Sequence, residues 1–254
     1  MNSTKDKIKN MLKEKYSDKV MMILKFTSRE EFAEDVLNGN LYMNTAQFYR
    51  EYEETYNTKG IGDKNELKLE MLPDMLTINI DGKEIKFKPT GKAVFEYNDD
   101  KEKPIYCMTY ITIDDFEVIE YDGSNALIGL NLDTDMLRKD FGEYVTIINA
   151  DEFKQRIFIK QEEYDVDVIF GFVKYKEKYD EKRTKEFLSG SIERFLYKDK
   201  SYEYQKECRV IISDYVGDDK YFRIGDIRDI AQNCKTSELK DVLIIKIENI
   251  QIQD

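Results

Sequence analysis

The chain has 254 residues, a formal net charge of −12 and no histidine, and these facts exclude whole classes of function. Without an imidazole there is no Ser-His-Asp triad, no Cys-His pair, no H-E-x-x-H zinc helix and no zinc-deaminase centre, and the acidic balance opposes nonspecific binding to DNA, RNA and anionic lipid. What stays open is carboxylate, lysine, tyrosine or backbone chemistry, or binding without chemistry.

In chain order, the first element is an amphipathic helix within residues 1–20. Ile8, Met11, Leu12 and Tyr16 share one face, and Lys5, Lys7, Lys9, Lys13, Lys15 and Lys19 make the other positive. A basic helix packed on an acidic body accounts for this pattern more simply than a membrane or partner contact. Residues 21–26 (MMILKF) read as a strand. Ser28 and Glu31 follow in the S-x-x-E spacing of a capping box, which predicts a helix starting at Ser28, with Phe32, Val36 and Leu37 buried and Gly39 as its stop. Residues 41–43 make a short strand, and Asn44 or Thr45 caps a helix with Tyr49, Tyr52 and Tyr56 on one side. Lys59-Gly60-Ile61-Gly62-Asp63 reads as a flexible surface turn; it lacks both the P-loop pattern and the third glycine of a dinucleotide fingerprint.

Residues 76–87 carry the clearest local signal: LTINI, Asp81-Gly82, then KEIKF, a two-residue type I′ hairpin. The turn sets the register, with Ile80 opposite Lys83, Ile78 opposite Ile85 and Leu76 opposite Phe87. It also disposes of a lookalike. Pro73-Asp74 with Glu84-Ile85-Lys86 copies the spelling of a PD-(D/E)-x-K nuclease, but strand alternation points Asp74 away from Glu84 and Lys86. Further strands are expected at 93–97, 105–113, 126–132, 144–148 and 168–175, helices at 133–141 and 151–162, and a mixed-charge loop or helix at 174–185. Asn131, Asp133 and Asp135 imitate a calcium loop, but Met136 and Gly142 stand where its glycine and bidentate glutamate belong.

No repeat or linker interrupts the chain, so residues 21–254 are read as one α+β domain. Its sheet is mixed and largely antiparallel, seeded by the Asp81-Gly82 hairpin, with helices on its faces and the basic first helix as an appendage. Cys107, Cys208 and Cys234 are widely spaced and odd in number, which fits a reducing cytoplasm better than a disulfide framework or a zinc site. The basic N-terminus lacks the apolar core of a signal peptide, and no run approaches roughly 18 apolar residues. The expectation is a cytoplasmic protein with no bound metal and no membrane contact.

The segment YEYQKECRVIIS, residues 202–213, is the candidate for function. Read as a strand, it sends Gln205, Glu207 and Arg209 to one face and Lys206, Cys208, Val210 and Ile212 to the other. Three polar groups in line on an apolar strand are costly unless solvated, paired or used. A Glu207-Arg209 ion pair or an edge strand facing water is one account; a ligand or catalytic face is the other.

Several short motifs occur together: Leu24-Lys25-Phe26-Thr27-Ser28, Gly39-Asn40-Leu41-Tyr42-Met43-Asn44, Gly62-Asp63 and Tyr204-Gln205-Lys206-Glu207-Cys208-Arg209. Together they resemble a large family of bacterial and prophage proteins of unknown function. The strand-helix-G-x-L opening is similar to the start of several ADP-ribosyltransferase families, and Gln205-x-Glu207 resembles their Q/E-x-E motif. The resemblance implies an ADP-ribosyltransferase-like fold with NAD as the compound bound. It casts Glu207 as the catalytic carboxylate that stabilises an oxocarbenium-like transition state, Gln205 as the residue addressing the acceptor, and Lys25, Tyr42 and Arg209 as ligand contacts. Lys25 stands where such families carry Arg or His, and Met108-Thr109-Tyr110 is the nearest counterpart to their S-T-S strand. The first functional reading is therefore an ADP-ribosyltransferase-like or NAD-consuming protein of phage–bacterium conflict. The second is a non-catalytic phage or mobile-element protein that inhibits a host-defence protein partner through its acidic, tyrosine-rich surface. Whether the protein is an enzyme turns on whether Gln205 and Glu207 line a pocket beside Lys25 and Tyr42. Neither substrate, partner identity nor oligomeric state is legible in the sequence.

Overall fold

The computed structural model describes residues 2–16, 19–56, 60–72, 74–88 and 90–250. Helix and strand are nearly balanced, at 36% and 35%, and the strands pair almost entirely antiparallel, so the fold is α+β. The central sheet is built from β1 (Val20–Thr27), β2 (Pro104–Thr112), β3 (Tyr144–Asn149), β4 (Val168–Phe172), β5 (Glu207–Ile212) and β6 (Ala231–Lys235). Their order is β4-β5-β2-β1-β3-β6, with the short strand Asn44–Thr45 paired to the start of β2. The helices that bear on the site are α1 (Asn2–Tyr16), α2 (Glu30–Leu37), α3 (Ala46–Tyr56), α4 (Thr134–Phe141) and α5 (Ala150–Tyr164).

Apolar side chains cover both faces of this sheet. One cluster joins Ile23, Val36, Tyr106, Ile148, Phe153 and Val210, drawing α2 and α5 onto the strands. Another places Leu24, Phe26, Ile111 and Val145 against a second antiparallel sheet of 116–121, 126–130 and 244–247. The first helix belongs to this second cluster: Ile8 and Leu12 are buried within it, so α1 is part of the core and not an appendage. Its lysine-rich face stays outside, as the amphipathic pattern requires.

Local signals behave unevenly. Thr45 caps α3, its hydroxyl accepting from the Phe48 N–H at 3.2 Å, and Gly39, at φ +72°, ends α2. The predicted capping box at Ser28 does not form. β1 runs on to Thr27, paired with Tyr144, so the chain turns later and α2 begins at Glu30, after an Arg29 that makes no side-chain cap. Phe32, expected in the core, is exposed, and Ala33 with Val36 supplies the buried face.

The hairpin takes the predicted register, Ile78 opposite Ile85 and Ile80 opposite Lys83, with φ positive at both Asp81 and Gly82. It does not seed the central sheet. It stands as a two-stranded sheet of its own with Ile78, Ile80 and Ile85 about half exposed, because turn chemistry sets register without supplying a surface to pack on. Glu84 and Lys86 are solvent-exposed, and Pro73 of the nuclease-like spelling lies outside the described residues.

Candidate functional site

β1 and β2 pair only from Val20–Thr112 to Leu24–Thr109. Beyond that point β1 continues to Thr27 hydrogen-bonded to β3 alone, while the other half of β2 stays with β5 and with Asn44–Thr45. The two strands part, and a cavity of about 670 Å³ opens at the divergence, lined by residues 24–28 of β1 and its end and by Tyr106, Cys107, Met108 and Thr109 of β2. A volume of this size suits a small organic ligand. Lys25 reaches across the split: its Nζ donates to the Cys107 carbonyl at 2.8 Å and lies 4.1 Å from the centre of the Tyr106 ring. Burial pulls the Lys25 ammonium below the ordinary lysine range.

Aromatic rings dominate the walls. Phe48, Tyr49 and Tyr52 come from α3, Phe141 from α4, and Tyr42 with Tyr221 from a short strand pair. Tyr42 and Tyr221 pack edge to face at 5.2 Å, and Tyr42 is 47% exposed, which places this pair at the opening. Two buried polar atoms of lining residues, the Tyr106 hydroxyl and Asn44 Oδ1, have no hydrogen-bond partner among the described residues. Such groups are uncommon in a folded protein.

Gly60, Ile61 and Glu66 line the cavity, and Gly60, Gly62 and Asp63 are buried, so this segment is a packed loop and not a flexible surface turn; Lys59 lies outside the described residues. The Asp63 N–H donates to the Tyr49 carbonyl at 3.1 Å, the Lys64 N–H to Glu53 Oε2 at 2.6 Å, and Arg50 Nε to the Glu66 carbonyl at 2.7 Å. Gly62 is what lets this segment lie against α3, since a Cβ there would sit 2.6 Å from the Glu53 nitrogen.

The 202–213 segment is not one strand. Residues Lys200–Gln205 form a 3₁₀ helix and Lys206 adopts φ +44°, after which Glu207–Ile212 runs as an interior strand buried at every position. Gln205, from the end of the 3₁₀ helix, and Glu207, from the start of the strand, both line the cavity. The edge-strand account is thereby overturned, while the Glu207-Arg209 ion pair is present as part of a larger network. Arg209 Nε donates to Glu207 Oε1 at 2.5 Å, and its two terminal nitrogens fork onto Glu66 at 2.8 and 2.9 Å. Lys198 Nζ donates to Glu207 Oε2 at 2.7 Å and to Gln205 Oε1 at 3.0 Å, and Gln205 Nε2 donates to the Gly60 carbonyl at 2.9 Å.

Of the predicted residues, the fold therefore brings Lys25, Tyr42, Gln205 and Glu207 to one cavity. Arg209, expected as a ligand contact, is completely buried behind Glu207 and is not among the cavity-lining residues. Lys198 and Glu66 carry no motif that marks them, whereas Asp63 lies in the Gly62-Asp63 motif, directly after the two glycines Gly60 and Gly62. No family model, curated protein or solved structure matches this chain.

The electrostatics follow from burial and charge balance. Burial alone pushes the Glu207 carboxyl up, but Arg209 and Lys198 outweigh it and hold the group ionised, well below the carboxylate range. Two carboxylates, Glu66 and Glu207, face two cations, Lys198 and Arg209, which is the balance a buried network requires. Asp63 is pushed up to about 6 by burial and by Glu66. Burial, with Glu207 next to it, pushes the Cys107 thiol up to about 12, so this cavity-lining cysteine is not a thiolate nucleophile at neutral pH. Among the described residues no group of three or more acidic or cysteine side chains is placed to hold a metal ion, and no helix is long and apolar enough to cross a membrane.

Proposed function

We propose that the protein is an ADP-ribosyltransferase-like enzyme that takes NAD in the cavity between β1 and β2. The observation that carries this reading is the convergence of Lys25, Gln205 and Glu207 on one cavity from β1 and from the turn into β5, with Thr109 of the intervening β2 opposite both Leu24 and Glu207. Those are the three strands on which the resemblance puts its NAD-holding residue, its S-T-S counterpart and its Q-x-E motif. Aromatic walls suit flat rings, and Lys25 offers a cation to the phosphates.

The reaction breaks the ribose–nicotinamide bond, whose electron pair leaves with nicotinamide. A bond forms from the same ribose carbon to an oxygen or nitrogen of an acceptor, or to water, which loses a proton to solvent. Glu207, kept ionised, opposes the positive charge that develops at that carbon. Gln205 faces the acceptor. No step requires an imidazole.

A second reading, binding without turnover, is favoured by one observation: both Glu207 oxygens are already engaged by Lys198 and Arg209. The test is a thermal shift with NAD together with detection of released nicotinamide, for wild type and Glu207→Gln. NAD binding with Glu207-dependent release is the expected result. Binding without release selects the second reading. Neither binding nor release overturns both and directs attention to a protein partner of the acidic, tyrosine-rich surface.

A further inference from the structure

We infer that Lys198 is a positioning residue of this site, a group that locks Gln205 and Glu207 into a single rigid unit facing the cavity; this inference rests on the ADP-ribosyltransferase-like reading. Lys198 lies on a three-residue strand, Tyr197–Asp199, paired in parallel with Lys174–Lys176, so its backbone is fixed. Its side chain is 5% exposed, and its ammonium sits 4.9 Å from the centre of the Tyr202 ring. A lysine taken so far out of water is costly unless its donors are used, and here two of them are spent on the two candidate site residues, at 2.7 Å to Glu207 and 3.0 Å to Gln205.

Donor and acceptor chemistry makes the clamp specific. An ammonium only donates and a backbone carbonyl only accepts. Lys198 therefore fixes which end of the Gln205 amide is oxygen, and Gly60 fixes which end is nitrogen. Arg209 holds the other Glu207 oxygen but is itself anchored to Glu66 and to the Phe195 carbonyl. Without Lys198, the Gln205 oxygen loses its partner and Glu207 keeps one tether, so both groups can leave the cavity wall.

Lys198 also bears on the charge of Glu207. The groups facing that carboxylate are Arg209 from its own strand, Lys198, Glu66 beyond Arg209, the Cys107 thiol of β2, the neighbouring Cys208 thiol, and Tyr175, whose hydroxyl accepts the Glu207 N–H at 2.7 Å; Lys25 and Tyr49 stand further out, and Asp63 lies beside Glu66 and Lys198. Lys198 is one of only two cations hydrogen-bonded to it among the described residues.

The experiment measures nicotinamide release at neutral pH by wild type, Lys198→Met and Lys198→Arg, with melting curves for each. Lys198→Met is expected to lower kcat ~100-fold while KM stays within ~3-fold, the scale of a misplaced catalytic group. Lys198→Arg keeps the charge but substitutes a planar fork for a compact ammonium; kcat falls less, ~10-fold. Loss of folded protein alone would lower activity only in proportion to the folded fraction that the melting curves give. Lys198→Arg, which preserves the charge balance, keeps the question decidable if Lys198→Met does not fold. Wild-type kcat in folded Lys198→Arg or in folded Lys198→Met overturns the role. A wild type that releases no nicotinamide overturns the parent reading and this role with it.

Discussion

Lys198 Nζ and Glu207 Oε2 lie 2.7 Å apart with both side chains 5% exposed, and the same ammonium reaches Gln205. One buried lysine thus converts a short sequence motif into a fixed geometry. The rest of the network, Arg209 forked on Glu66, keeps the local charge near zero so that this arrangement can exist inside the fold.

Breaking that balance is expected to be expensive. Arg209→Met leaves Glu66 and Glu207 buried with one cation between them, and the predicted loss of stability is about 3–5 kcal/mol. Urea unfolding monitored by circular dichroism measures it; a loss under about 1 kcal/mol would mean that the carboxylates find water.

Asp63 makes stability depend on pH in a defined direction. Its folded pKa of about 6 lies above the ordinary aspartate value of 3.8, so the native state holds its proton where the unfolded chain has lost it. The contribution is fully present below about pH 4 and is lost as pH rises through about 6, a difference on the order of 2–3 kcal/mol. Asp63→Asn cannot titrate, so the variant should gain on wild type as pH rises from 4 to 7. Parallel melting curves for the two proteins across that range would refute the assignment.

Gly62→Ala places a methyl group 2.6 Å from the Glu53 nitrogen of α3. The clash displaces the cavity wall, and the expected cost is about 1–3 kcal/mol, read as a fall in melting temperature together with weaker NAD binding. An unchanged melting temperature would show that the loop yields freely.

Tyr42→Ala removes a ring that is 47% exposed at the cavity opening. Stability should change by no more than about 0.5 kcal/mol, while ligand affinity falls roughly tenfold if the ring stacks on the ligand. Calorimetric titration with NAD separates the two effects, and equal affinity would remove Tyr42 from the site.

The hairpin supplies a control. Ile78→Lys alters a residue that is 44% exposed, so stability should move by less than about 0.5 kcal/mol. A larger loss in denaturant unfolding would reveal a packing surface for the hairpin.

What the sequence determined by itself is local. The Asp81-Gly82 turn dictated the register of Ile78 on Ile85 because only residues tolerant of positive φ fit there. Thr45 and Gly39 set helix ends through single side-chain and backbone preferences, and the polar run Gln205, Glu207, Arg209 announced itself as costly on an apolar strand. Tertiary structure decided everything that depends on which surfaces meet: the hairpin left outside the central sheet, α1 drawn into the core, and β1 parting from β2 to open the cavity. It also separated the roles within the polar run, placing Gln205 and Glu207 on the cavity wall while Arg209 is buried behind them. Lys198 and Glu66 were invisible beforehand for the same reason. Their charges are ordinary in a chain that is 36% charged, and only burial, which no local pattern specifies, makes a charge costly enough to need partners.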